Sequence, residues 1–468
     1  MFRRLRLSSF LAIFIGLLLF LRLPSFFEPY WYGDEGVYLT LGLAIRRGLV
    51  LYRQIHDNKP PLLYYFAAIS QTVFGFRLLL FLFMIPTYYF FLRLAKKFIS
   101  SPRSRHLSLL FFLLLTSTPI IEGHIANAEV FMLLPTLAAA YLVFSSSSYL
   151  AAGFLLGLAF TIKVPVFAEV AFLSLWLLFI RKTGFRSLLF LALGFILPIS
   201  LWSIYYFFQG AFSQFLFASL LQNFGYLSSW TTGSHSGSAT EGGLATRGLL
   251  FVISLLVTYF LFRRRRLSSS SAFLLSWFSA TLFGSLLSSR PYPHYLLQLS
   301  PPLALILFSS LRRAKIIVFL TLILAIIKFN FYFYPVFSYY YNFYSHLIGL
   351  KSTFAYRQYF GQEIPAIYQL SDYIVSHTSP HDPIFIWGDH PYLYALSNRL
   401  PVGRYTVAYH ILDFNGHQET ISRLQAVLPR LVVYYPMPSR PFPELDSLLS
   451  RYYYPVFTAG SSIIYQLR

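Results

Sequence analysis

The chain has 468 residues, of which 56% are hydrophobic and only 11% charged. With a mean hydropathy of +0.59, that composition excludes an ordinary soluble domain. A net charge of +21 would suit nucleic acid, but the basic residues come in short clusters between apolar stretches and form no continuous face, so nucleic acid is excluded as a partner. Cysteine is absent, which removes disulfide frameworks and thiolate metal sites and leaves the redox compartment open.

In chain order, Arg3, Arg4 and Arg6 precede an apolar run in the manner of a signal peptide. No small-residue cleavage site follows; Leu23-Pro24-Ser25-Phe26-Phe27 comes instead, so the run reads as an uncleaved first span. Apolar windows able to cross a ~30 Å hydrocarbon core fall near 8–24, 77–95, 107–121, 128–145, 149–163, 164–180, 187–208, 248–262, 271–288, 295–311 and 314–331. The chain is therefore expected to be a polytopic α-helical membrane protein of about eleven transmembrane helices. Basic clusters at residues 3–6, 93–105, 181–186, 263–266 and 312–315 all lie on one side if the N-terminus is cytoplasmic. That agreement requires the apolar stretch 60–76 to be a helix at the outer membrane surface, introduced by Pro60-Pro61. The C-terminus is then extracytoplasmic, and the predicted location is the plasma (inner) membrane.

Three outer segments are large enough to build a site: 25–76, 209–247 with its Gly/Ser-rich run 231–243 suited to a lid or linker, and the tail 351–468. Residues 1–340 form the expected membrane domain. The tail alternates helix-like stretches (364–376, 418–428, 444–452) with strand-like runs (384–387, 431–435, 463–465), which predicts a small extracytoplasmic α/β domain.

Of the 16 acidic residues, none falls in a predicted cytoplasmic loop, and all but Glu169 lie in or beside outer segments. Acids gathered at one membrane face mark it as the working one. Asp34-Glu35 comes first. Asp34 stands where a helix N-cap would; alternatively the pair, flanked by Trp31, Tyr32 and Tyr38, makes a sugar pocket with a carboxylate to accept a hydroxyl proton. The run from Tyr52 through Arg53, His56 and Lys59 to Pro61 carries cations for lipid head groups in general or for one phosphate. Glu122, His124, Asn127 and Glu129 form a polar outer turn whose spacing matches no strong metal motif, although a divalent ion stays possible. Arg290-Pro291-Tyr292-Pro293-His294-Tyr295 is a short outer loop in which Arg290 and His294 are placed to meet an anion, unless the prolines only shape a turn. Lys163 and Glu169, near the outer ends of their helices, are placed either to pair with each other structurally or to serve a function.

Taken together and in order, Asp34-Glu35 opening a helix, residues 44–52 leading to Lys59-Pro60-Pro61 and Tyr64, Asn127-Ala128-Glu129, and Tyr292-Pro293-His294-Tyr295 resemble the GT-C glycosyltransferases of the protein mannosyltransferase and aminoarabinose transferase superfamily. The resemblance covers most of residues 1–340. It implies transfer of a sugar from a polyprenyl-phosphate carrier to an acceptor glycan, lipid or protein at the outer leaflet. By that resemblance Asp34 is the base, Glu35 positions a substrate, Lys59 meets the carrier phosphate with Arg290, His294 and Arg53, and Tyr38, Tyr52, His56, Tyr64, Glu122, His124, Asn127, Glu129, Tyr292 and Tyr295 line the substrate site. Inversion at the anomeric carbon is expected. Membrane lipids and the lipid-linked sugar are the expected partners, with the donor a substrate and no cofactor assigned. The rival classes are a transporter or flippase for lipid-linked glycans, which would show related halves and mid-membrane helix breaks, and a non-enzymatic glycolipid-binding protein.

Overall fold

The computed structural model describes residues 2–145, 147–222, 243–288 and 290–468. The Gly/Ser-rich run 231–243, apart from Gly243, lies outside the described residues. Helices occupy all eleven stretches read as spans, from Phe2–Arg22 to Arg312–Lys328. Among the described residues six are long and apolar enough to cross a membrane: Phe10–Phe27, Val73–Phe98, Ala128–Ser145, Val164–Arg181, Phe185–Phe208 and Leu244–Arg263. The full count of eleven crossings stays an expectation. Within the stretch 60–76 the nine-residue helix Leu62–Ser70 is ended by Gln71 at φ 67°, and residues 73–76 already belong to the next helix, Val73–Phe98. At 1.5 Å per residue such a helix is about 14 Å long, half the hydrocarbon thickness.

The chain divides into two compact units. The first comprises Met1–Leu23, Leu80–Ile204 and Leu220–Val336. It is a helical bundle whose core is aromatic: Phe273 packs against Phe98, Phe144, Phe172, Trp176 and Trp277. Helix Tyr149–Phe160 meets helix Phe185–Phe208 through glycines. A Cβ on Gly153 would stand 2.0 Å from the Leu191 carbonyl oxygen, and one on Gly157 2.4 Å from that of Phe195. Small residues that let backbones touch are the usual means of helix association in lipid, where apolar side chains gain little by leaving the solvent. Leu249, Leu250, Leu256 and Phe260 on helix Leu244–Arg263 are exposed, as befits a surface bathed in hydrocarbon.

The second unit joins Pro24–Leu79, Tyr205–Ser219 and Phe337–Arg468. Its centre is a mixed sheet of β1 (Phe385–Trp387), β2 (Leu431–Tyr434), β3 (Tyr453–Ala459) and β4 (Ser462–Leu467) in the order β1-β2-β4-β3. β1 and β2 are parallel and the other pairings antiparallel. Alternation of side chains sends Ile386, Val433 and Ile464 toward helix Ile364–His377, while Phe385, Trp387 and Val432 pack against Leu424, Leu445 and Leu448 on the opposite face. The predicted α/β tail is present, with one strand more than expected. β3 contains Pro455, which removes a ladder donor; it is accommodated because β3 is an edge strand whose register shifts between Pro455 and Phe457. The first outer segment belongs to this unit, Tyr30 and Trp31 packing against the core beneath helix Ile364–His377.

Candidate functional site

In the second unit the helix that carries the acidic pair runs from Gly33 to Arg46, with Tyr32, not Asp34, at the N-cap position. This corrects the helix-cap reading of Asp34. Asp34 and Glu35 both sit in the first turn, where the positive end of the helix dipole favours them, and their side chains go separate ways. Gly36 is required at the next position, since a Cβ there would lie 2.7 Å from the backbone nitrogen of Tyr392.

Glu35 is 2% exposed. Its two oxygens accept from Arg77 Nε at 2.8 Å and Nη2 at 2.7 Å. The same guanidinium gives Nη1 to the Ser25 carbonyl at 3.1 Å and pairs at 2.7 Å with Glu28. Glu28 in turn accepts from Trp31 Nε1 at 2.7 Å and Tyr339 OH at 2.5 Å. Arg77 is wholly buried, and a buried charge persists only when paired and hydrogen-bonded in this way.

Asp34 keeps about a third of its side chain exposed. It accepts from Tyr38 OH at 3.0 Å and stands 3.7 Å from Lys59 Nζ. Lys59 lies between two acids, with Asp57 3.9 Å away on its other side and the Tyr38 ring 5.0 Å below. Asp57 is the more firmly tied: it accepts from Tyr64 OH at 2.7 Å and from the Asn58 N–H at 2.8 Å, with His410 Nε2 3.6 Å away. Burial would push the Asp57 carboxyl up, but Lys59, His410 and these two donors outweigh it and hold the group below the ordinary aspartate value. Burial lowers His410 in turn. The loop bearing Lys59 is fixed from beneath by Tyr52, wholly buried at φ 70°, whose OH donates to the Lys59 carbonyl at 2.8 Å. A bulky residue in the left-handed region costs of order 1–3 kcal/mol and persists only where its surroundings enforce it. His56 is buried, and its ring packs near Tyr405, His410 and Phe414.

Of the four cations expected at a carrier phosphate, Lys59 and Arg53 belong to this unit and Arg290 and His294 to the other. Arg53 donates to the carbonyls of Gln209 and Gly210 at 3.0 and 3.4 Å, closing the end of helix Phe185–Phe208.

The first unit gathers Glu122, Glu129, Lys163 and His294. His294 turns Nδ1 to Glu122 in a short contact and Nε2 to Glu129 at 3.6 Å. Burial would lower the imidazole, but the two carboxylates prevail and raise it above its ordinary value, against the charge of Lys163. Glu122 itself is left-handed at φ 59°. Gly123 follows it where a Cβ would meet the Leu115 carbonyl at 2.2 Å, and its own carbonyl accepts from Arg22 at 2.9 Å. Lys163 pairs with Glu129, and its ammonium lies 4.4 Å from the Tyr295 ring centre. The expected Lys163–Glu169 pair is thus corrected: Glu169 accepts from Trp277 Nε1 at 2.8 Å and Gln298 Nε2 at 3.1 Å, two neutral donors within its own bundle. His124 and Asn127 are buried beside this cluster in sequence, Asn127 preceding the short helix Ala128–Phe131. Tyr292 stacks on the His294 ring at 5.6 Å. Among the described residues no group of three or more His, Asp or Glu is arranged to hold a metal ion; here cationic side chains occupy the space between the acids.

Asp57, Glu28, Arg77 and His410 were missed by sequence reasoning. The available signal for Arg77 was its place in the first turns of the apolar helix Val73–Phe98, far from the basic cluster that ends it, since a charge beside apolar residues demands a partner.

A helical bundle and a small mixed sheet are the two parts expected from the GT-C resemblance. No protein-family model matches the sequence, and no curated protein does. Solved structures do match. The chain superimposes on ArnT from Cupriavidus metallidurans bound to undecaprenyl phosphate with a TM-score of 0.60, at 13% identity and over 98% of each chain. Against the apo state of the same protein the TM-score is 0.61, again at 13% identity and 98% of each chain. The chain has the ArnT-like GT-C fold.

Proposed function

We propose that the chain is an integral membrane glycosyltransferase that moves a sugar from a polyprenyl-phosphate donor to an acceptor hydroxyl at the extracytoplasmic face, with inversion at the anomeric carbon. The observation that carries this reading is the Asp34–Lys59 pair: a half-open carboxylate 3.7 Å from an ammonium, in a fold shared with a structure that holds undecaprenyl phosphate. Breaking a sugar–phosphate bond leaves negative charge on the departing phosphate, which a fixed cation stabilises, and develops positive character at the anomeric carbon, which an activated hydroxyl attacks. Asp34 takes the hydroxyl proton, the new C–O bond forms, and polyprenyl phosphate leaves toward Lys59. The Lys59 ammonium lies 3.7 and 3.9 Å from its two acids, a fixed cation beside Asp34 toward which the phosphate charge is drawn. Glu35, saturated by Arg77, acts as a positioning residue for the helix start that bears Asp34.

The test is a transfer assay with purified protein and a polyprenyl-phosphate sugar. Asp34→Asn keeps shape but removes the proton acceptor, so turnover should fall by ~10²–10⁴ while donor binding holds. Near-normal turnover in that variant would remove Asp34 as the base.

A further inference from the structure

A cavity of about 390 Å³ opens in the second unit and shares no lining residue with the Asp34–Lys59 cluster. Phe27, Phe343, Leu347 and Tyr356 supply its apolar walls, and Arg357 and His346 its cationic or potentially cationic groups. Arg357 lies 3.5 Å from the centre of the Tyr368 ring, and its guanidinium makes no hydrogen bond or ion pair among the described residues. His346 is stacked on Tyr356 at 4.6 Å, with Nδ1 2.9 Å from the Lys351 carbonyl, which leaves Nε2 for another partner. Glu28 also borders the cavity, but its side chain is 0% exposed and committed to Arg77, Trp31 and Tyr339.

The surface beside this cavity is apolar. Helix Val336–Leu347 buries Tyr339, Asn342, Phe343 and Ser345 on one face, yet Phe337 is 83% exposed, Tyr341 63% and, just beyond the helix, Leu350 78%. Ile348 and Phe354 continue the exposed strip. Residues 337–350 contain no Asp, Glu, Lys or Arg. An exposed strip of aromatic and aliphatic side chains without charge suits the acyl-chain boundary of a bilayer and not water.

We infer that this cavity takes the phosphodiester head group of an anionic glycerophospholipid from the surrounding leaflet, its acyl chains lying along the exposed strip. The planar Arg357 fork, held flat on Tyr368, offers parallel N–H donors that match two phosphate oxygens. The volume is within the range of small-ligand pockets. The walls bury the glycerol and the first methylenes.

The experiment uses the full-length protein in detergent, with phosphatidylglycerol, phosphatidylcholine and inorganic phosphate as separate probes and bound lipid counted by native mass spectrometry. Wild type should retain phosphatidylglycerol in preference to phosphatidylcholine, and Arg357→Gln should weaken that retention about tenfold, as expected for loss of a charged hydrogen bond. Thr353→Trp, which fills the cavity from an exposed lining position and leaves Arg357 in place, should abolish it and serves as the deciding variant if Arg357→Gln fails to fold. Wild-type retention in Thr353→Trp, or in a folded Arg357→Gln, would overturn the assignment. Equal retention of phosphatidylcholine would make the site merely apolar, and displacement by millimolar inorganic phosphate would make it a site for a soluble anion; either result also overturns it.

Discussion

At Lys59 one ammonium answers to two carboxylates, and their unequal ties divide the work between them. Asp57 is buried and accepts from Tyr64 and the Asn58 N–H, so it can be neither base nor ligand without breaking its own support; its role is to fix Lys59. Its carboxyl is held below the ordinary aspartate value, burial being outweighed by Lys59, His410, Tyr64 and Asn58. A depressed folded value means the stabilisation is present above the unfolded pKa of about 3.9 and is lost as pH falls through the folded value. Asp57→Asn should therefore cost about 1.5–3 kcal/mol at neutral pH, the range for hydrogen bonds to charged groups. The gap between the thermal midpoints of wild type and variant should close only on acidification below pH ~4. A gap unchanged down to the most acid pH at which the protein stays folded would show that Asp57 acts by packing alone.

Two elements depend on contacts that a single substitution removes. The start of helix Gly33–Arg46 is pinned by the Glu28–Arg77–Glu35 triad. Removing the shared cation leaves two buried acids uncompensated, so Arg77→Ala should destabilise by about 3–5 kcal/mol, read as lost folded yield and a lowered melting midpoint. Glu35→Gln retains a hydrogen-bond acceptor and should cost less. In the other unit, Gly153→Leu must push helix Tyr149–Phe160 away from helix Phe185–Phe208, because a Cβ at that position would meet the Leu191 carbonyl oxygen at 2.0 Å. Overpacking of this kind costs typically 1–3 kcal/mol and more where backbone opposes it; a variant that melts with wild type would show that the helices are free to part. The sequence makes such elements legible unevenly. Residues 34–64 show their chemistry locally, since Asp34, Tyr38, Tyr52, Lys59 and Tyr64 lie on one short helix-and-loop segment, and their types and spacing can be read without a fold. Strands β1, β2 and β4 were legible as short apolar runs. β3 was not, because Pro455 disguises an edge strand, nor was the helix Tyr392–Ser397 that packs on Gly36. The partners of Asp57 and Glu35 stay hidden for a different reason, their distance in sequence: His410 is hundreds of residues from Asp57, and Arg77 is 42 residues from Glu35.

At the scale of the whole molecule the open quantity is orientation, which length and apolarity leave undetermined and charge decides. Helices stand at all eleven stretches read as spans, but only six have full length and apolarity among the described residues. Spans that fall short owe part of their length to polar or irregular ends, as in Ser300–Phe308, which follows the 3-10 segment Pro293–Leu299. Every crossing inverts the side of all later loops, so one wrong count would scatter the basic clusters over both faces. Treating 60–76 as non-crossing keeps residues 3–6, 93–105, 181–186, 263–266 and 312–315 together, and the nine-residue helix Leu62–Ser70 is too short to cross a ~30 Å core by itself. The positive-inside bias then predicts a cytoplasmic N-terminus and an extracytoplasmic sheet-bearing tail. Reporter fusions after Arg266 and after Leu350 should accordingly report opposite sides, the first cytoplasmic and the second extracytoplasmic. A cytoplasmic signal after Leu350 would put the Asp34–Lys59 cluster, which shares a unit with the tail, on the side where the basic clusters already concentrate, and would overturn the orientation and the outer-leaflet reaction together.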